Sequence, residues 1–236
     1  MPLSPRATAR LAGVFELLEG ATSVVAQMVL LDSFVAREPA ITAANILANE
    51  PAFRLGVALS LVTVVLHLAW GYLLYELLKI VSRPVARFGV LLLVVSSTLQ
   101  AITALLAMGA LVTLLAGDGL GVPPEQRAAL AQVFMRLSAQ SNNFFLAIFG
   151  FWLISIGYLV FRSTLIPRLI GVALVLEGIG WVTYAWPPLG IALLPVIAVF
   201  GVFGELALTA WLLIRGMDSQ RWRALAATEA AKGQQT

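Results

Sequence analysis

Three glutamates, Glu19, Glu177 and Glu205, interrupt stretches that are otherwise apolar enough to cross a membrane. Carboxyls in that setting can exchange protons or bind a cation or a cationic solute. At 1.5 Å per helical residue, Glu19 lies about 13 Å beyond Arg10, Glu177 about 13 Å beyond Arg168 and Glu205 about 15 Å before Arg215. The hydrocarbon core of a bilayer is about 30 Å thick, so all three reach roughly its midplane. His67, about 18 Å from Lys79, and Gln100, about 20 Å from Arg87, are deep as well. With Glu16 beside Glu19, these six residues form the candidate intramembrane polar site. The plainer alternative makes the carboxyls neutral acids that hydrogen-bond neighbouring helices, and makes His67 a polar partner among serine and threonine.

Helical spacing places these groups on faces that are small or polar. Glu16, Gly20, Ser23 and Gln27 share one arc of the first helix, with Glu19 alongside. The second helix aligns Ser60, Thr63, His67 and Gly71; the third Ser96, Gln100 and Thr103; the fourth Asn143, Ala147 and Gly150. On the sixth, Ala198, Gly201, Glu205 and Thr209 coincide. Such stripes are expected to pack against other helices, because small residues permit close approach and polar ones find partners there. Gly20, Gly178, Gly180, Gly201 and Gly204 read as packing glycines, and Trp70, Tyr72, Tyr75, Trp152, Tyr158, Trp181, Tyr184, Trp186 and Trp211 mostly as anchors near helix ends.

Composition dictates the solvent. Of 236 residues 60% are hydrophobic and 11% charged, and the mean hydropathy is +0.94. A soluble fold of this length could not bury so much apolar surface beneath a polar exterior. The absence of cysteine excludes disulfides, thiol catalysis and iron–sulfur ligation, and a single histidine argues against a metal or haem site. No cofactor and no metal are expected. No Walker, HExxH, GxSxG or haem-attachment motif occurs, which disfavours an enzyme. Basic residues outnumber acidic ones, 15 to 12, but form no run that would suit nucleic acid.

The expected fold is all-α, a polytopic membrane bundle occupying residues 1–216, with a cytoplasmic tail over 217–236. Spans are expected at about 11–35, 55–78, 88–116, 139–161, 169–186 and 190–214. Glu16 and Glu19 make a signal peptide a poor account of the first, which is read as retained. The two prolines of Trp186-Pro187-Pro188 force a turn between the last two spans. Residues 42–50 suit a short amphipathic turn, and Pro123-Pro124-Glu125 opens a helix that can run into the fourth span, with Leu130, Phe134 and Leu137 on one side. The tail after Gln220 is expected to hang loose. Arg6, Arg10, Lys79, Arg83, Arg87, Arg162, Arg168, Arg215, Arg221, Arg223 and Lys232 fall on one side, 11 of the 15 basic residues. Both termini are therefore expected in the cytoplasm, with the chain in the inner membrane.

An internal repeat is also visible. Arg10-Leu11-x-Gly13-Val14 with Leu18-Glu19-Gly20 returns as Arg168-Leu169-x-Gly171-Val172 with Leu176-Glu177-Gly178, and weakly as Arg87-Phe88-Gly89-Val90. The even helices close alike, in Gly71-Tyr72-Leu73-Leu74-Tyr75, Gly157-Tyr158-Leu159-Val160-Phe161 and Ala210-Trp211-Leu212-Leu213-Ile214. These suggest three parallel two-helix repeats, against the alternative that apolar sequence matches itself easily.

Arg10-Leu11-Ala12-Gly13, Thr42 through Leu47 with Phe53-Arg54-Leu55-Gly56, Gly157 through Ser163 with Pro167-Arg168-Leu169-Ile170-Gly171-Val172, and Gly204-Glu205-Leu206 together resemble the bacterial domain-of-unknown-function family 4386. The resemblance runs from Ala9 to Arg215 and implies six helices in a bacterial membrane, with no assigned reaction, cofactor or catalytic residue. Ser141-Asn142-Asn143 stands where members often have a histidine before the fourth span. The functional expectation is translocation of a small solute, proton or cation through the midplane carboxyls. A membrane protein that binds or regulates a lipid or protein partner is the alternative, and a membrane enzyme the third. The lipid bilayer is the one partner the composition requires; a small solute or lipid ligand is a further candidate.

Overall fold

The computed structural model describes residues 3–233, with the backbone alone at 118, 120 and 229–233. Six helical stretches are long and apolar enough to span a bilayer. Span 1 comprises α1 (Pro5–Val24), a π-helical stretch over Val25–Leu31 and a 3-10 turn over Asp32–Phe34. A short helix, α2 (Pro39–Ala48), precedes α3 (Glu50–Leu78), α4 (Arg83–Leu115) and α5 (Pro124–Ser163), which are spans 2 to 4. Span 5 is α6 (Arg168–Val182) with a 3-10 turn to Ala185; span 6 is α7 (Pro187–Gly201), a π turn over Val202–Leu206 and α8 (Ala207–Ile214). A final helix, α9, covers Ser219–Gly233. The described residues contain no strand.

Local chemistry accounts for most boundaries. Pro187 opens α7 directly after an extended Trp186, which is the turn expected from the two prolines. The helix starting at Pro124 runs unbroken into the fourth span for 40 residues. Gly216, at φ +66°, closes the sixth span in the left-handed conformation that a side chain would resist.

The chain divides into two compact units. One comprises Leu18–Val65 and Ser97–Phe145. Its core joins Leu31, Ile46, Phe53, Val57, Leu111 and Met135 to the small residues Ala104, Ala107, Ala110 and Ala131. The segment before α2 is fastened there: Thr42 Oγ1 accepts from the Ala36 N–H at 2.9 Å, and Gln132 Nε2 donates to the Ala36 carbonyl at 3.1 Å. Along α5 the buried face is Ala128, Ala131, Gln132, Met135 and Ser138, whereas Leu130 and Leu137 are exposed. Of the three residues expected to share one side, Leu130, Phe134 and Leu137, only Phe134 packs on the core. Large apolar side chains can face lipid without cost, and small ones are needed where helices approach closely.

The other unit comprises the chain up to Leu17, Leu66–Ser96 and everything from Leu146 on. In it α5 and α6 lie antiparallel, with their backbones in close contact at two glycine pairs seven residues apart. A Cβ on Gly150 would fall 2.5 Å from the Gly178 carbonyl oxygen, and one on Gly157 would fall 2.7 Å from that of Gly171. Trp70 and Trp152, expected at helix ends as anchors, are both 1% exposed and pack edge-on with ring centroids 4.8 Å apart. Nor does the tail hang loose: α9 begins at Ser219, and Trp222 Nε1 donates to the Leu77 carbonyl at 2.8 Å. Residues 234–236 of that expected tail lie outside the described residues.

Candidate functional site

Glu177 occupies the centre of the most developed polar arrangement in the spans. It lies on α6, one residue before Gly178, whose pairing with Gly150 clamps that helix against α5. The clamp fixes the helix rotation, so Glu177 is only 1% exposed. One turn further along, Trp181 Nε1 donates to Glu177 Oε1 at 3.1 Å. The i, i+4 spacing that permits this was present in the sequence, but Trp181 reads there as an interfacial anchor.

The opposing surface is the irregular part of span 6. There the carboxyl rests on two glycines: a Cβ on Gly201 would meet Glu177 Oε1 at 3.0 Å, and one on Gly204 would meet Oε2 at 2.8 Å. The π turn over Val202–Leu206 begins between them and includes Glu205. A π turn inserts one residue into the helix and loosens its regular hydrogen-bond ladder, and such turns recur at functional sites. It also shifts the facing of everything after it. Of the expected stripe Ala198 is exposed, Gly201 and Glu205 are half-buried and Thr209 is buried, and Gly204, Leu208 and Leu212 are buried beside them. The Glu205 carboxyl comes within hydrogen-bonding reach of that of Glu177. The structure therefore brings Glu177 and Glu205 together as a carboxyl pair, and two carboxyls in such contact can both be satisfied when one proton lies between them.

Glu16, on α1, is buried at 7% exposure. Glu19 belongs to the other unit, partly exposed, one turn before Thr22, whose hydroxyl accepts from Thr63 Oγ1 at 3.0 Å. His67 is fully buried within a ring of aromatic side chains, its centroid 5.7 Å from Trp70, 5.4 Å from Phe149 and 5.4 Å from Trp152. Aromatic neighbours were not indicated by the serine and threonine that share its face in the sequence. Gln100 lies buried on α4, next to Leu99, whose carbonyl accepts from Ser141 Oγ at 2.9 Å. Many buried hydroxyls are satisfied within their own helix: Ser60 donates to Gly56, Thr103 to Leu99 and Ser155 to Phe151. These need no partner across the interface. Gly20, expected to pack, has nothing within 4 Å of an added Cβ and is exposed.

Among the described residues no group of three or more His, Asp or Glu side chains could hold a metal ion. Compared with known proteins, residues 11–216 match the sequence model of a family described as a domain of unknown function, DUF4386. No curated protein and no solved structure matches the chain.

Proposed function

The chain belongs to the domain-of-unknown-function family 4386, and we propose that it is a multi-pass membrane protein that moves protons, or a small solute coupled to them, through the Glu177–Glu205 pair. The observation that carries this reading is a buried carboxyl seated on two glycines against a π turn that supplies its carboxyl partner. An ionisable pair at membrane depth is costly to keep, and functional use is its usual justification. A π turn with one glycine before it and another within it lets span 6 change its local winding with few steric barriers. Loss of the shared proton leaves two like charges together, which must separate or accept a cation. That is a step of proton exchange coupled to helix movement. The basic residues gathered at one set of span ends support a reading with both termini in the cytoplasm.

The test is reconstitution of the full chain in vesicles loaded with a pH-sensitive dye, with imposed pH and potassium gradients. Dye response above empty vesicles, lost in Glu177→Gln and Glu205→Gln while both variants stay folded, is the expected result. Equal flux in wild type and both variants would remove the carboxyl pair from any transport role. The competing reading makes the pair purely structural, favoured by the Trp181 hydrogen bond that satisfies Glu177 within its own helix and that an amide could equally accept. In that case the Gln variants match wild type in stability and in every flux assay.

A further inference from the structure

Beyond the last span, a cavity of about 570 Å³ opens between the start of α1 and the turn from α8 to α9. Arg6, Arg215 and Arg221 line it together with Trp211, Asp218 and Ser219. Gly216 makes this convergence possible. Its left-handed backbone, with the N–H bonded to the Trp211 carbonyl at 2.9 Å, folds the chain back so that α9 starts beside the end of α8. A Cβ at Gly216 would come 3.1 Å from Arg6 Cγ, so α1 packs directly on that turn. The Arg215 guanidinium lies 5.8 Å from the Trp211 ring centroid, which orients it at the level where a tryptophan marks the membrane interface.

Asp218 is the one acidic residue lining the cavity, and its oxygens are already engaged. Oδ1 accepts from the backbone N–H groups of Gln220 and Arg221 at 2.9 and 3.0 Å, and Oδ2 lies 3.9 Å from Arg221 Nε. Three guanidiniums and one carboxylate leave a net charge of two positive. The concave shape, the guanidinium forks and the adjacent Ser219 hydroxyl suit a doubly or singly charged tetrahedral anion.

We propose that this cavity binds a phosphate group, borne either by an anionic membrane lipid or by a soluble phosphate. The site lies at the end of span 6, whose surface is the least covered of the spans together with span 1. An acyl chain could run along that surface while its headgroup occupies the cavity. The proposal stands independently of the Glu177–Glu205 pair.

The experiment uses the full chain, purified and stripped of lipid in a neutral detergent. Native mass spectrometry follows binding of phosphatidylglycerol and of phosphatidylcholine, and calorimetry follows inorganic phosphate. Retention of phosphatidylglycerol over phosphatidylcholine, weakened about tenfold or more in Arg6→Gln/Arg215→Gln/Arg221→Gln, assigns the lipid source. Phosphate binding with the same sensitivity, and no lipid preference, assigns the soluble one. Arg83→Gln/Arg87→Gln/Arg162→Gln removes as much charge from the same side and should leave binding unchanged. Binding of neither ligand, or equal loss in both triple variants, overturns the proposal. Should the first triple variant fail to fold, Arg221→Gln alone reads the same outcome, because that side chain is 76% exposed.

Discussion

At the scale of single residues, the Glu177 carboxyl is held by contacts of different kinds, and each can be removed separately. Glu177→Leu leaves the Trp181 indole N–H and the Glu205 carboxyl without their partner. It should cost about 1–3 kcal/mol in a reversible unfolding assay, whereas Glu177→Gln should cost well under that because the amide still accepts and donates. Equal losses in the two variants would mean that the hydrogen bonds contribute nothing. Outside the spans, Asp218 accepts the Arg221 backbone N–H, and this bond above all holds its carboxyl below the ordinary carboxylate range. A carboxyl depressed in the folded state stabilises α9 above the unfolded-state value of about 4 and loses that contribution as pH falls through its lower folded value. The helicity difference between wild type and Asp218→Ala should therefore be constant from pH 8 to 5 and vanish in stronger acid. A difference that persisted there would show that the charged carboxylate is not the cap.

At the scale of elements, glycines separate into those that hold helices together and those that do not. Gly157 faces the Gly171 carbonyl and the Val175 backbone, with no flexible side chain able to yield, so Gly157→Ala should push α5 and α6 apart. Gly20→Ala meets nothing and should be neutral or stabilising by up to about 1 kcal/mol through helix propensity. Thermal midpoints of the two variants in detergent compare them directly; a tolerated Gly157→Ala would contradict the backbone contact. Gly204→Ala is a third case, since its Cβ would collide with Glu177 Oε2 and approach the Leu174 backbone at 3.2 Å. It should cost about 1–3 kcal/mol, and less in a Glu177→Ala background, where part of the obstruction is gone. Strict additivity of the two substitutions would place the carboxyl elsewhere.

At the scale of the whole molecule, the three-hairpin repeat is a proposal that bears on how several glycines pack. Gly13 meets Leu212 and Leu213 at the end of α8, Gly171 meets Gly157 and Phe161 at the end of α5, and Gly71 in the closing motif of α3 meets Leu93 of α4. Each of these contacts joins an opening helix to the closing motif of another hairpin. The same arrangement demands that all three hairpins begin on one side. Reporter fusions at residues 45, 85, 125, 165 and 188 should read outside, inside, outside, inside, outside; a periplasmic signal at 85 would refute the orientation.

The sequence by itself determined the number of spans, the turn at Trp186-Pro187-Pro188 and the long helix from Pro124. Each depends on length, composition or a local backbone rule, and those operate whatever the neighbours are. Only the tertiary structure decided facing. Trp70 and Trp152 turned inward around His67, Leu130 and Leu137 outward, and the expected stripe on span 6 was broken, with Ala198 exposed and Thr209 buried on either side of a π turn that no residue pattern marked except Gly201-x-x-Gly204-Glu205. The physical reason is the solvent. In water, apolar periodicity points to the core, but in lipid both faces of a helix are apolar and the pattern loses its direction. What remains is the fit of small residues against a neighbouring backbone, and a glycine reveals its role only when that neighbour is in place.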